Sequence, residues 1–457
     1  MHDHLDRDRT ARWRMALMIA VLAGCVPSSQ EVRAPVDRVV RERLGAAVDP
    51  VADAQIDRLL AQPLDAGVAT RIALANNARL HAAFDELDIA AGDVAAALGL
   101  GPVAIDAKLR FGSPHDEVEL EAVQSVLGLV FAPSRRAAAH AELRAVSAAA
   151  AAMALRLAAR VEIGFADVLA AQQELELRRT AFDAADAAAT LRERMHAAGN
   201  TTDLALARDR DAREQARLDL GRAELALTSA RNALSAMLGL SGDRTKWAAA
   251  GALRDLPTAP PAVDGLEATA VAASLELTAG RERREAAERR ASAERLRAVV
   301  PELGIGVAVA DDGHQTGIGP ALRIGIPLLD LRSGERARAN ARVRREAHTL
   351  AAEESELRAA AQTASAAARA TYEEARRLRD VVLPLRQQIV SETLKHYNAM
   401  DVDPFELIIA RRELVDGTHQ YVDALRRYWN AVAEVSALSR GVMLSSPASP
   451  TPTQEAP

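Results

Sequence analysis

The sequence predicts a mainly α-helical chain of long antiparallel coiled-coil hairpins, written as two pseudo-repeats that contribute four β-strands in all. Three observations carry that expectation. Aromatic residues are only 3% of a chain that is 49% hydrophobic, with alanine supplying much of the apolar count. Small side chains with abundant Glu and Arg suit long helices packed closely, because alanine has the best helix propensity and charges cover the outer faces. Second, Leu157, Val161, Gly164, Val168, Ala171, Leu175, Phe182 and Ala185 fall on alternating three- and four-residue steps, with Arg178 the one exception. That is coiled-coil spacing. Third, the same landmarks recur in order at an offset of roughly 200 residues, the mark of a duplicated plan.

Residues 1–24 read as a secretion signal. Arg7, Arg9, Arg12 and Arg14 precede a short apolar run that closes on Leu22-Ala23-Gly24-Cys25, too short to span a bilayer as a helix. The Leu-Ala-Gly-Cys ending resembles a bacterial lipobox, which implies lipid on Cys25 and a lipoprotein anchored in outer-membrane lipid, Val26 standing where aspartate can signal inner-membrane retention. A buried core cysteine is the alternative. Cys25 is the only cysteine, so no disulfide forms.

The first repeat spans residues 25–252. A helix near Ala69-Thr70-Arg71 runs through Asn76-Asn77 to Leu98. A hairpin then occupies about 102–132: Val103, Ile105, Ala107, Leu109 and Phe111 alternate as in a strand with two unlike faces. Residues 112–117 turn, and Val118 to Phe131 return to Pro133. Helix resumes from about Ser134 to Ala198, a rod on the order of 95 Å long. Gly199-Asn200-Thr201-Thr202-Asp203 breaks it, glycine closing one helix and Thr202 or Asp203 capping the next. Leu220, Ala223, Leu227, Ala230, Leu234 and Met237 keep the same rhythm in an antiparallel partner.

Residues 253–265, with Pro257, Pro260 and Pro261, are a linker. The second repeat, 266–441, restates the plan: helix to about Val299, Pro301, a hairpin at about 301–329 turning at residues 311–315, then helix again. Pro384 lies inside that last rod, where a missing donor bends a helix; the first repeat has no counterpart, which makes Pro384 a hinge candidate. Residues 442–457 are too polar and proline-rich to pack and are expected to be disordered.

A net charge of −6, becoming −7 once four Arg and three Asp leave with the signal, recruits no nucleic acid. After the signal no segment has the uninterrupted apolar length of a membrane helix, so any crossing must use strands. No metal-spaced histidine pair, phosphate-binding glycine loop or nucleophile elbow is present, which argues against an enzyme and against any cofactor. The turn residues His115, Asp116, Asp311, Asp312 and His314 could hold a divalent cation; ordinary solvated loops carry the same residues.

The ordered pieces 198–207, Glu224-Leu225-Ala226, 234–240 with Trp247, and Gly325-Ile326-Pro327-Leu328-Leu329-Asp330 with Arg332 and Gly334 together resemble the TolC-like outer-membrane efflux factors, in their lipoprotein branch. The resemblance implies a homotrimer: four strands per chain in one shared twelve-stranded β-barrel, and two helical hairpins per chain in a periplasmic α-helical tunnel. It implies a passive exit duct fed by a periplasmic adaptor protein and an inner-membrane pump. Residues 401–410 align with the segment whose inward acids ring the closed aperture. Glu406 matches one acidic position, Ile409 occupies the other, and Asp403 and Asp401 are further aperture candidates that also suit tip and cap roles. Met400 stands where a glycine is usual after the tyrosine, here Tyr397, so that turn is expected to be built differently. Arg208, Arg210, Arg411 and Arg412 are adaptor-contact candidates. Phe111 and Phe131 are the only aromatics on the expected strands, sparse for a membrane barrel's aromatic girdles. A periplasmic coiled-coil lipoprotein scaffold that never spans the membrane is the competing expectation. Four amphipathic strands argue against it, since they cannot close alone and need a partner for their edges.

Overall fold

The computed structural model describes residues 28–45, 52–97, 103–110, 117–297, 302–311, 316–325 and 333–444. The signal with Cys25, the turn residues His115, Asp116, Asp312 and His314, Phe111 and most of the C-terminal tail lie outside them. In chain order the helices α1 (Ser29–Leu44), α2 (Asp53–Leu60), α3 (Ala66–Asn76) and α4 (Ala78–Ala97) precede strands β1 (Ala104–Arg110) and β2 (Glu117–Ser125). Then come α5 (Leu127–Ala197), α6 (Asp203–Met237), α7 (Leu266–Ala273), α8 (Leu275–Arg297), β3 (Glu302–Asp311) and β4 (Thr316–Gly325). The chain finishes with α9 (Ser333–Arg377), a π-helical turn (Leu378–Val382), α10 (Leu383–Asn398) and α11 (Pro404–Ser439). The fold is thus mainly helical, with two strands in each half.

The residues cluster into two compact units. One takes in the described residues up to Val36, with Ala82–Ala150 and Glu276–Glu353. Its strands form one antiparallel sheet in the order β1-β2-β3-β4. The two hairpins meet along β2 and β3, where Leu120 pairs with Val309 and Ala122 with Val307, which leaves β1 and β4 as edges. Helix α8 lies along the start of α5 through Arg144, which bonds Glu282 and Glu285, and along α9 through Arg283 and Glu353.

The other unit holds two antiparallel helical hairpins. In the first, Gly164 lies beside Leu234 and Met237, Arg178 faces Asp219 and Arg192 faces Asp209, so α6 retraces α5 from the turn at Gly199. In the second, Glu374 pairs with Arg427 and the ring of Tyr372 lies 5.8 Å from that of Tyr428, tilted against it, so α11 retraces α9 and α10. Helix α11 also runs antiparallel to α5, joined by Glu174 to His419 and by Asp167 to Arg426 and Asn430. Arg178, the exception in the apolar rhythm, is therefore part of a charged layer: it pairs with Glu174 at 2.6 Å and lies 3.7 Å from Asp416.

Both long return helices end alike. Gly239 and Gly441 take positive φ, and Leu240 N–H and Val442 N–H reach back to the carbonyls of Ser235 and Ala437, the 6→1 closure of a glycine-terminated helix. The carbonyls left over are capped by side chains of the other elements. Asn76 donates to the carbonyls of Leu238 and Gly239, and Asn77 to that of Met237. In the second half Arg43 donates to the carbonyls of Arg440 and Ala273. The linker is packed rather than loose: Leu253, Leu256 and Val263 are buried, and Arg254 and Thr258 carbonyls accept from Trp429 and Tyr372.

Several boundaries differ from those expected. Residues 127–131 are the start of α5, not strand, and Phe131 is buried on that helix with Arg297 over its ring. Pro133 is absorbed within the early part of the helix, where one missing donor costs least. The helix expected through Asn76-Asn77 breaks, because Asn77 turns extended and its side chain accepts from the amides of Arg79 and Leu80. The second repeat also breaks, at Ser274 between α7 and α8, where the backbone leaves the helix at ψ 123°. Packed chain also extends past 441: Val442 and Met443 are buried, and Arg156 and Arg160 donate to the carbonyls of Met443 and Leu444.

Candidate functional site

The sheet has two unlike faces. On one, Ile105 and Leu109 of β1, Val118 and Leu120 of β2, Ile305 and Val307 of β3, and Ile318, Leu322 and Ile324 of β4 are all exposed; Ile105 is 74% and Ile318 75% accessible. The register sets them side by side, Leu109 against Val118, Val307 against Pro320 and Val309 against Ile318. The opposite face carries Asp106 and Lys108 on β1, Glu119 and Glu121 on β2, Gly304, Gly306, Ala308 and Ala310 on β3, and Arg323 on β4.

Curvature assigns those faces. Arg323 on β4 donates to Asp106 on β1 and to Glu121 on β2. In a flat sheet β1 and β4 are about 14 Å apart, three spacings of about 4.8 Å, farther than an arginine and an aspartate reach together. The contact requires the sheet to curl toward its polar side. The charged face is concave and the apolar face convex, the arrangement of a membrane β-barrel wall with water inside and lipid outside.

The helical tips are built by one turn used twice. At the first tip Gly199 takes φ 73°, its N–H donates to the His196 carbonyl at 2.9 Å and Asn200 N–H to that of Met195 at 2.8 Å. Thr202 then caps α6, its hydroxyl accepting from Ala205 N–H. At the second tip Met400 takes φ 60°, its N–H donates to the Tyr397 carbonyl at 3.0 Å and Asp401 N–H to that of His396 at 2.9 Å. Asp403 caps α11 by accepting from Phe405 N–H at 2.9 Å, with Pro404 in the first turn. The expectation that Met400 forces a different turn is therefore corrected: two backbone bonds hold the same turn with methionine in the left-handed position.

Each tip carries an exposed histidine–aspartate contact, His196 with Asp203 at 2.6 Å and His396 with Asp401 at 3.3 Å. Glu406 is exposed in the first turn of α11, and Ile409, one turn on, is exposed as well. Arg210 pairs with Glu193 at 2.9 Å; Arg208, Arg411 and Arg412 are exposed and make no ion pair among the described residues.

One residue joins the two tips. Arg192 on α5 is buried, bonds Asp209 on α6 at 2.6 Å and the Thr201 hydroxyl at 3.2 Å, and stands 3.0 Å above the ring of Phe405 on α11. An arginine suits this place because its planar group stacks on a ring while its edge bonds a carboxylate. Its sequence neighbours gave no sign of the role; Leu191 and Arg192 read as one more step of an amphipathic rod.

Pro384 lies in the first turn of α10, directly after the π-helical turn, where Leu383 N–H bonds the Leu378 carbonyl. The wider turn takes up the backbone disturbance near the proline. A cavity of about 290 Å³ flanks it, lined in part by Leu378, Val382, Arg377 and His419. Of the expected cation residues only Asp311 is described; it lies at the end of β3 and accepts from the Thr316 hydroxyl. No metal-binding cluster occurs among the described residues, and no described helix is long and apolar enough to cross a membrane.

No protein-family model and no curated relative matches the chain. Solved structures do. The chain is similar to a membrane protein from Pseudomonas aeruginosa, at 18% identity and a TM-score of 0.68, covering 85% of this chain and 93% of that one. It is similar to the outer membrane protein VceC of Vibrio cholerae, at 16% identity and a TM-score of 0.66, covering 86% and 97%. It is also similar to the CmeC outer membrane channel of Campylobacter jejuni, at 14% identity and a TM-score of 0.67, covering 84% and 87%. What is shared at these identities is the fold, over more than four fifths of each chain.

Proposed function

We propose that this chain, whose fold is that of the TolC-like outer-membrane efflux channels, is the outer-membrane channel of a tripartite efflux or export system: a passive, homotrimeric exit duct for solutes delivered by a periplasmic adaptor protein and an inner-membrane pump. The observation that carries the reading is the reach of Arg323 from β4 to Asp106 on β1, which makes the charged face concave and the apolar face convex. Four such strands leave two edges open. Three copies joined edge to edge close a barrel and satisfy every backbone group in lipid. The chain catalyses nothing; the pump supplies the driving energy.

Within this reading Cys25 carries lipid that holds the protein at the outer membrane. Glu406 is the aperture acid: threefold symmetry gathers three exposed carboxylates, whose field favours cations in a constriction. Asp401 and Asp403 shape that tip, Asp403 as its cap. The π turn beside Pro384 is the hinge of the second hairpin, and Arg208, Arg210, Arg411 and Arg412 face the adaptor.

A coiled-coil scaffold that stays in the periplasm leaves the convex apolar face without a partner. Single-channel recording of the detergent-extracted protein in a planar bilayer tests the proposal. Cation-selective openings that lose selectivity in Glu406→Ala support the duct and its gate. A folded protein that needs no detergent once Cys25 is replaced supports the scaffold instead.

A further inference from the structure

We infer that Arg323 sets the ion selectivity of the strand-lined part of the duct, its positive charge offsetting one of the negative charges of two lumen carboxylates that would otherwise draw cations; the inference rests on the duct reading above. The described charged groups of the concave face are Asp106, Lys108, Glu119, Glu121 and Arg323, one net negative charge per chain. Lys108 lies 3.3 Å from Glu119 and 3.8 Å from Glu121. Arg323 bonds both Asp106 and Glu121, so it shares Glu121 with Lys108.

The backbone between them is shaped to allow that reach. Gly304 is the register partner of Arg323, and a Cβ there would stand 2.5 Å from Val123 Cγ1 and 3.5 Å from Arg323 Cβ. Gly306, Ala308 and Ala310 continue the same face of β3 with no side chain longer than a methyl. The guanidinium therefore lies over a bare strand and meets carboxylates on the two strands beyond it. Planar, forked arginine serves two acids at once where a lysine point charge serves them loosely. In a trimer the described charged groups of this face sum to three negative, and without Arg323 to six negative. Fixed charge of one sign along a water-filled pore concentrates counter-ions and excludes co-ions.

The test is the reversal potential of the full-length trimer in planar bilayers under a KCl gradient. Arg323→Gln is expected to raise the potassium-over-chloride permeability ratio by roughly twofold or more, and Asp106→Asn with Glu121→Gln to lower it. Arg323→Lys keeps the charge and stays near wild type. Arg323→Cys guards against effects of assembly. After the trimer is formed, a cationic methanethiosulfonate should return the ratio to the wild-type value and an anionic one should raise it further, with identically treated wild type as the control for Cys25. Conducting channels whose ratio is the same in all these variants and after both reagents overturn the inference and leave the duct standing. Folded wild-type protein and Glu406→Ala that both fail to conduct overturn the duct reading, and the inference with it.

Discussion

Met400 occupies in the second hairpin the left-handed backbone position that Gly199 occupies in the first, φ 60° against 73°. Both residues donate to the carbonyl three residues back, and the amide after each reaches five residues back. The duplicated plan is thus kept at the level of the turn, although only one copy has the residue the turn prefers.

Met400→Gly should therefore stabilise the second tip. A non-glycine residue in this region costs roughly 1–2 kcal/mol, and glycine returns about 0.5–1 kcal/mol of that as chain entropy, so a gain of about 0.5–1 kcal/mol remains. The Met400 side chain is 94% exposed and has no packing to lose. Slower amide hydrogen exchange over residues 396–403 in the variant is the expected result; unchanged exchange would mean that the turn is not strained.

Arg192 links three helices, so its loss should be felt at both tips. Arg192→Met leaves Asp209 without its partner, at a cost of about 2 kcal/mol, below the ~3–5 kcal/mol of a fully buried pair because Asp209 keeps some contact with water. Phe405→Leu removes the stacked ring and costs about 1 kcal/mol. The double variant should cost less than the two separately, since both remove one contact. Chemical denaturation of the four proteins measures that coupling.

Gly306 pairs with Val123 on β2 and Ala321 on β4, and a Cβ on it would run into the Ala122 carbonyl. Backbone cannot give way as a side chain does. Gly306→Val is expected to prevent assembly of the trimer proposed above, read by chemical cross-linking in detergent, while Gly319→Val, where a Cβ meets open space, should leave assembly unchanged.

The strands were legible because Ile105, Leu109, Leu120 and Val307 alternate with charged or small residues, and the hairpin rods because their apolar steps persist for many turns. Boundaries were harder. Val126, Val130 and Phe131 are strand-forming residues at a strand-to-helix passage, and the backbone takes the helical choice one residue beyond the bond from Val126 N–H to the Leu303 carbonyl. The breaks at Asn77 and Ser274 answer to the distant ends of α6 and α11: Asn77 donates to the Met237 carbonyl and Leu275 N–H to that of Gly441. The Arg323 and Arg192 contacts join residues far apart in sequence, and only the register of the folded chain brings them together.

Two carboxylates on α11 should respond to pH in opposite senses. Burial pushes Asp423 upward, but the Arg426 and Arg427 guanidinia outweigh it and hold its carboxyl below the ordinary range. A depressed value means stability that is present above the unfolded pKa of about 3.9 and lost as pH falls through the folded one. Glu434 has no ion pair or hydrogen bond among the described residues, and burial alone raises it. A raised value means stability that is complete below the unfolded pKa of about 4.3 and lost as pH rises through the folded one. At pH 7 Asp423→Asn should thus lower the melting temperature and Glu434→Gln should raise it. Moving to about pH 4 should erase most of the Glu434→Gln gain while the Asp423→Asn loss persists, fading only at still lower pH. Melting curves of both variants and wild type at the two pH values make the comparison, and parallel shifts in the two variants would contradict it.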